Sequence, residues 1–310
     1  MTQASTILGL LAQTSIHAGT GQNTGIIDLP IQREGHNGWP CVFGSAMKGA
    51  LRTRAETQYG KENASVIYVF GPSPSPSPNT NNASEHAGAI MVSDARLLLL
   101  PIRSLTSQFK WVTCPDALKR YQRDAERFGL TVGLLSSVNV EVEGDEALVA
   151  TKEADGALFL EEYRFNAKSQ DLSVAIKSIA QLMQRDDAEE VLQNQLVIVS
   201  NDMFAHLCQH ATPVNAHIAI ESETKTVKDG ALWYEETLPP ETLLYVGLSA
   251  NPVRKPKGDK IKVPLPQDES GKWVLESITN LFRDRPWLQI GGNETVGMGW
   301  CAVKVLQGGQ

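Results

Sequence analysis

Apolar residues recur along this chain with two different periods, and the points where one gives way to the other outline its elements. Ser5 to Ala12 reads as a short apolar strand, followed by a glycine-rich loop over 13–44. From 45 to 58 the spacing turns helical, with Met47, Ala50, Leu51 and Ala55 as the apolar stripe, Ser45 as N-cap and Gly60 as the stop. Lys48 and Arg52, four apart, share the other face beside Gly49, while Arg54 lies on the Met47 side, where its stem can snorkel along the core edge. Alternating Ser and Pro over 72–78 cannot form a helix or a ladder and reads as an exposed loop. Gly88 to Leu100 is again strand-like and strongly apolar, interrupted by Asp94 and Arg96. A helix over 115–128 with Asp116 as cap comes next, then Val-rich, acidic hairpins over 137–165. An amphipathic helix over 173–184 points Val174, Ile176, Ile179, Ala180 and Met183 inward.

The second half predicts a strand over 195–199, a short helix over 203–210, and two strands, Val214 to Ile220 and Leu232 to Leu238, with Lys228-Asp229-Gly230 at the turn end. A helix near 273–283, a strand from Trp287 to Ile290 and a closing strand over 299–306 complete the pattern. Strands and helices intersperse without regular βα repeats. The expectation is an α+β fold on a split βαβ core with long insertions, rather than a doubly wound sheet.

Composition narrows the class. A chain of 310 residues can bury a substantial core, as one elaborated domain or two. No apolar run is long enough to span a bilayer, and Met1-Thr2-Gln3-Ala4-Ser5 lacks the features of a secretory signal, so a cytoplasmic protein is expected. The four cysteines are scattered with no C-x-x-C pair, which argues against a zinc ribbon or a disulfide framework. His206 and His210 share a helix face, but Cys208 points elsewhere and no third ligand is near, so core or capping roles are preferred to a metal site. The net charge of −7 does not advertise a nucleic-acid binder. Screening confines charge effects to about 8–10 Å, however, and the basic residues are grouped: Lys48, Arg52 and Arg54; Lys119, Arg120 and Arg123; and Arg254, Lys255, Lys257, Lys260 and Lys262. Acidic residues concentrate elsewhere, notably over 186–190.

Two glycine loops carry the candidate chemistry. The first holds His17, Gly19, Gly21 and Gly25 and runs on to Asp28-Leu29-Pro30; the second holds Gly291, Gly292, Gly297, Met298 and Gly299. Glycine lets a backbone approach a bulky partner without a Cβ clash, and free backbone N–H groups hold phosphate oxygens whatever the base sequence. A lone carboxylate such as Asp28 can serve as general base or hold a cation-bound water. It can equally be a turn residue bonding its own backbone. Neither a G-x-x-x-x-G-K-[ST] nor a complete G-x-G-x-x-G opening into a helix is present, which speaks against a nucleotide-binding enzyme.

The ordered combination of these loops with Ile27-Asp28-Leu29-Pro30-Ile31-Gln32-Arg33, Gly38-Trp39-Pro40 and Gly44-Ser45-Ala46-Met47-Lys48-Gly49-Ala50-Leu51-Arg52 resembles the RAMP superfamily. More narrowly, it resembles the backbone subunits of type III-B (Cmr) CRISPR RNA-targeting complexes. Further matches are Ser93-Asp94-Ala95-Arg96 and Asp229-Gly230-Ala231-Leu232-Trp233-Tyr234-Glu235-Glu236. The Ser-Pro tract departs from the pattern as a variable loop. The resemblance covers nearly the whole chain. It implies a single RAMP domain over 1–310: a modified ferredoxin-like (RNA-recognition-motif) palm, inserted fingers at about 60–172, and a β-hairpin thumb at about 204–240. It also implies a helical filament of identical copies along a CRISPR guide RNA, with other effector subunits as partners. Target single-stranded RNA would be cut beside each thumb by 2′-hydroxyl attack giving cyclic-phosphate ends, with no membrane involved. Asp28 aligns with the carboxylate required for cleavage, aided by a divalent cation, Mg²⁺ or Mn²⁺, whose binding residues beyond Asp28 stay open. His17, Glu235 and Glu236 are secondary catalytic candidates. His17, Gly19, Gly21, Lys48, Gly49, Arg52, Arg54 and the five residues of the second loop are the candidate RNA contacts. The alternative is a guide-RNA-binding filament subunit that does no cutting itself.

Overall fold

Four strands with two connecting helices build the centre of the molecule. In the computed structural model, which describes residues 4–22, 25–72, 86–132, 142–151, 156–254, 264 and 266–306, they are β1 (Ala4–Ala12), α1 (Gly44–Tyr59), β4 (Ala95–Arg103), β12 (Leu243–Ala250), α7 (Gly271–Thr279) and β14 (Trp300–Leu306). Their sheet order, β14-β1-β12-β4, is antiparallel throughout. This is the βαββαβ connectivity of a ferredoxin-like palm. Leu97, Leu98, Leu99 and Leu100 are all fully buried, because helices cover both faces of the sheet and an unbroken apolar run is what such a strand requires.

Further strands extend this sheet. On one side lies β13 (Trp287–Gln289), an edge strand paired with β14. On the other lie β5 (Phe109–Thr113), β9 (Leu196–Val199), β6 (Glu146–Val149), β8 (Tyr163–Ser169) and β7 (Gly156–Leu160), in that order. The short β2 (Cys41–Val42) pairs with β4, and β3 (Ile90–Val92) with β12. Residues 60–172 thus include β4, one of the four central strands, together with β3, β5, β6, β7 and β8, which join the same sheet. Helices α1 and α7, with α2 (Ala64–Phe70), pack on one face; α3 (Pro115–Arg127), α4 (Ser173–Ala180) and α5 (Ala188–Gln195) pack on the other. Helix α6 (Asn201–His210) leads into a separate hairpin, β10 (Val214–Ile220) with β11 (Val227–Glu236).

Several local expectations are corrected. Helix α1 is capped at Phe43 rather than Ser45, and α3 at Cys114, so that Asp116 lies in the first turn facing the helix dipole. Helix α4 ends at Ala180, and Val174 is 37% exposed rather than inward. Asp229-Gly230 lies inside β11: Gly230 has φ 73° where the register shifts between Ile218 and Ile220, so this turn-like pair marks a bulge. No periodicity in the sequence announces α2, α5, β5 or β12. The Ser-Pro residues 73–78 and the basic residues Lys255, Lys257, Lys260 and Lys262 lie outside the described residues.

Candidate nucleic-acid interface

The two glycine loops, far apart in sequence, lie against each other. Gly292 N–H donates to the His17 carbonyl (2.8 Å) and Gly299 N–H to the Ser15 carbonyl (2.8 Å). Gly291 (φ 79°) and Gly299 (φ 85°) need to be glycine: a Cβ on the first would lie 2.4 Å from the His17 oxygen, and on the second 2.1 Å from the Ile290 oxygen. Gly297 N–H donates to Glu294 O (2.9 Å) and Met298 N–H to Asn293 O (3.2 Å). Four of the five candidate amides in this loop are therefore engaged within the protein. The glycines serve close backbone packing before they serve any ligand.

The segment carrying Asp28 is threaded between the first loop and the hairpin. Thr20 N–H donates to Pro30 O (3.1 Å) and Gln32 N–H to Ala18 O (2.7 Å), which ties it to the first loop. Leu29 N–H donates to Tyr234 O (3.1 Å) and Glu236 N–H to Leu29 O (3.0 Å), which ties it to β11. Asp28 itself is half-buried, and its Oδ2 accepts the Tyr234 N–H at 2.8 Å. The self-bonded turn geometry is replaced by an anchor 206 residues away. Beside Asp28, Ile26 is almost fully exposed.

Glu235 and Glu236 are buried at 4% and 2% exposure. Glu236 Oε1 accepts from Arg33 and from the Thr212 hydroxyl (2.7 Å), and Oε2 accepts from Ile31 N–H (3.1 Å). Arg33 also donates to Gly38 O and Cys208 O, each at 2.8 Å. Glu235 Oε1 accepts from the Asn293 side chain (2.5 Å) and lies 3.8 Å from His17 Nδ1. His17 is buried too, with Nδ1 2.8 Å from the Glu236 carbonyl. A carbonyl can only accept, so Nδ1 is the donor in this contact. The three secondary candidates thus cluster under the Asp28 segment. Both carboxylates already have polar partners, whereas Asp28 stands at the surface.

Beyond Arg33 the same segment is pinned to α3. Arg120 holds Glu34 (2.7 and 2.8 Å), donates to Leu97 O (3.0 Å) and lies over the Trp39 ring at 4.8 Å. Pattern reasoning missed Arg33, Glu34, Thr212 and Asn293, because their partners are far away in sequence.

Next to the paired glycine loops an open groove of about 780 Å³ runs between α1 and the β13 edge. Gly19, Gly49, Arg54, Gly291 and Gly292 line it. Arg54 donates to Leu281 O at 3.2 Å and Arg52 pairs with Glu56 at 2.8 Å. Lys48 is half-buried, and burial, reinforced by Arg52 and Arg254, pulls its ammonium below the ordinary 10.5. Gly21 and Gly297 have open space where a Cβ would sit. His206 Nε2 meets the Tyr163 hydroxyl at 2.8 Å and its ring lies 4.4 Å from that of His210, while Cys208 is fully buried, with its thiol pushed up by burial. Among the described residues no group of three or more His, Cys, Asp or Glu is placed to hold a metal ion, and no helix is long and apolar enough to cross a membrane.

A family model for the RAMP superfamily matches residues 10–302. The CRISPR system Cmr endoribonuclease Cmr4 of Pyrococcus furiosus is 34% identical over 307 residues, covering 97% of this chain and 95% of its own. The CRISPR system CMR subunit Cmr4 of Saccharolobus solfataricus is 22% identical over 317 residues, covering 95% and 94%. The crystal structure of oligomeric Cmr4 from Pyrococcus furiosus superposes with a TM-score of 0.71 at 27% identity, covering 98% of each chain. A type III-B Cmr-beta complex bound to cognate target RNA contains a chain that shares the fold, with a TM-score of 0.72 at 18% identity, covering 97% of this chain and 96% of that one.

Proposed function

This chain belongs to the RAMP superfamily and within it to the Cmr4 family, and from that membership we propose that it is the backbone subunit of an RNA-guided CRISPR effector, assembling along guide RNA and cutting bound target RNA. Supporting the cutting role, the 34% identical relative is named an endoribonuclease. Supporting the assembly, a 27% identical relative crystallises as an oligomer. The β10–β11 hairpin is the thumb in this reading, and the strands and helices inserted between β4 and β12 supply much of the fingers.

The observation that carries the proposal is the placement of Asp28: a half-exposed carboxylate, held at one oxygen by a main-chain N–H of the hairpin, on a segment hydrogen-bonded to the first glycine loop. RNA supplies its own nucleophile in the 2′-hydroxyl. A carboxylate fixed beside a nucleotide displaced from the A-form stack can accept that proton as the 2′-oxygen attacks phosphorus in line and the P–O5′ bond breaks, leaving a cyclic phosphate and a 5′-oxygen that takes its proton from water. A divalent cation, Mg²⁺ or Mn²⁺, bound there would stabilise the phosphorane charge. A half-exposed carboxylate with one oxygen held by the hairpin fits a cation held by Asp28 and mostly by RNA phosphates. Buried His17, which donates through Nδ1 to the Glu236 carbonyl, ties the first loop to the hairpin rather than serving as the principal base.

Asp28→Asn is the discriminating variant, because its side-chain carbonyl still accepts the Tyr234 N–H. Cleavage of target RNA by the assembled complex should fall by about 10²–10⁴, with assembly and RNA affinity unchanged. Undiminished cleavage in an intact complex would leave the non-catalytic filament subunit as the function.

A further inference from the structure

The engaged amides of the second glycine loop raise a question about the groove beside it: what there is left to hold a ligand. Its remaining chemistry is in side chains that no sequence motif marks. Trp287 and Trp300 both line it, 44% and 40% exposed. In the β13–β14 ladder Trp287 faces Ala302 and Gln289 faces Trp300, so the two indoles stand on the same face of the sheet, diagonally across two strands. Arg54, Arg285 and one exposed carboxylate, Glu294, border the groove; Arg285 is exposed and makes no ion pair with any described residue. Two exposed indoles cost hydration unless something covers them. Flat aromatic faces, two guanidinium groups against one carboxylate, and a wall kept free of side chains by Gly49, Gly291 and Gly292 match a single-stranded nucleic acid better than an apolar peptide.

We propose that this groove is a nucleobase-stacking site in which Trp300 and Trp287 take unpaired bases of single-stranded RNA while Arg285 and Arg54 face its phosphates. The proposal rests on the RNA-binding function above and deepens it. Affinity at this site comes in large part from stacking, which is indifferent to base identity, as a subunit that accepts any guide sequence requires. A competing occupant, a loop of a second protomer, is distinguished by the test.

The purified protein is titrated with a fluorescein-labelled oligoribonucleotide, and with a strand of the same length carrying abasic riboses, over a series of salt concentrations. Trp300→Leu and Trp287→Leu should each weaken binding of the normal strand roughly 5- to 100-fold. They should leave binding of the abasic strand and the salt slope unchanged. Trp300→Phe should recover most of the affinity. Arg285→Gln should instead reduce the slope of log K against log salt by about 0.7, the value for one single-strand phosphate contact. Circular dichroism and light scattering on every variant report folding and oligomeric state. Equal affinity of wild type and both leucine variants for the normal strand would overturn the stacking site while leaving the guide-binding function standing. Leucine variants that lose self-association but keep RNA affinity would assign the indoles to a protomer interface instead. Absence of RNA binding by the wild-type protein would overturn both readings.

Discussion

Glu236 shows how much positioning one residue can supply. Its amide donates to Leu29, its carbonyl accepts from His17, and its carboxylate holds Arg33, Thr212 and the Ile31 amide. Removing it would leave Arg33 as an uncompensated, largely buried charge. Glu236→Ala should therefore lower stability by about 3–5 kcal/mol, read from urea unfolding. Any cleavage defect should then accompany loss of structure, whereas Asp28→Asn should lose rate with its unfolding midpoint unchanged. Equal stability of Glu236→Ala and wild type would show that the cluster does not anchor this segment. Asp28 and the glycines were legible because their signal is local, in residue type and spacing. The partners that hold them were not: Arg33 meets Glu236 203 positions away, and Asn293 meets Glu235 58 away, and no periodicity in one sequence encodes such pairs.

At the scale of elements, the proposed RNA contact at helix α1 would set binding against stability. Lys48 is crowded by burial, Arg52 and Arg254, and its folded pKa lies below 10.5. The native state therefore binds fewer protons than the unfolded chain in the interval between that lowered value and 10.5. Stability should rise with pH across this interval, and the full penalty of a disfavoured charge should be present below it. Lys48→Gln should flatten that rise in urea melts taken at successive alkaline pH values, and should weaken RNA binding with a smaller salt slope. A variant that keeps the wild-type pH profile would clear Lys48 of the penalty. Element type was legible where the period was clear, as in β1, α1 and β10, even though the α1 cap is Phe43 rather than Ser45. It failed where period and caps conflicted: Ala64–Phe70 is a β-branched and aromatic run, yet Asn63, which accepts from Ser65 N–H, and Gly71 bound it as a helix. Asp229-Gly230 offered turn chemistry that a bulge used instead.

At the scale of the whole molecule, the sheet joins pieces that sequence order separates: β5, β9, β6, β8 and β7 continue the palm through pairings no local pattern could announce. The β10–β11 hairpin stands apart from that sheet, with Val214, Ile218, Ile220, Val227, Leu232 and Tyr234 all exposed. Cross-strand pairs place Ile218 opposite Leu232 and Ile220 opposite Val227, so these side chains share one apolar face. Asp28 is hydrogen-bonded to the same hairpin, so in the proposed function each protomer would present one hairpin and one carboxylate together. If identical protomers tile a guide, cuts must then recur at the spacing of the protomers, and each cut must depend on its own Asp28 alone. Complexes assembled from equal amounts of wild-type and Asp28→Asn protein test this. Target fragments should end at the same evenly spaced positions as in wild type, bearing cyclic phosphates, with each cut reduced to about half and longer fragments accumulating where neighbouring cuts are skipped. Shifted end positions would mean that the spacing is not set by the protomer. Loss of all cutting at half substitution would mean that the carboxylates act through one another, and the one-thumb, one-carboxylate unit would have to be given up.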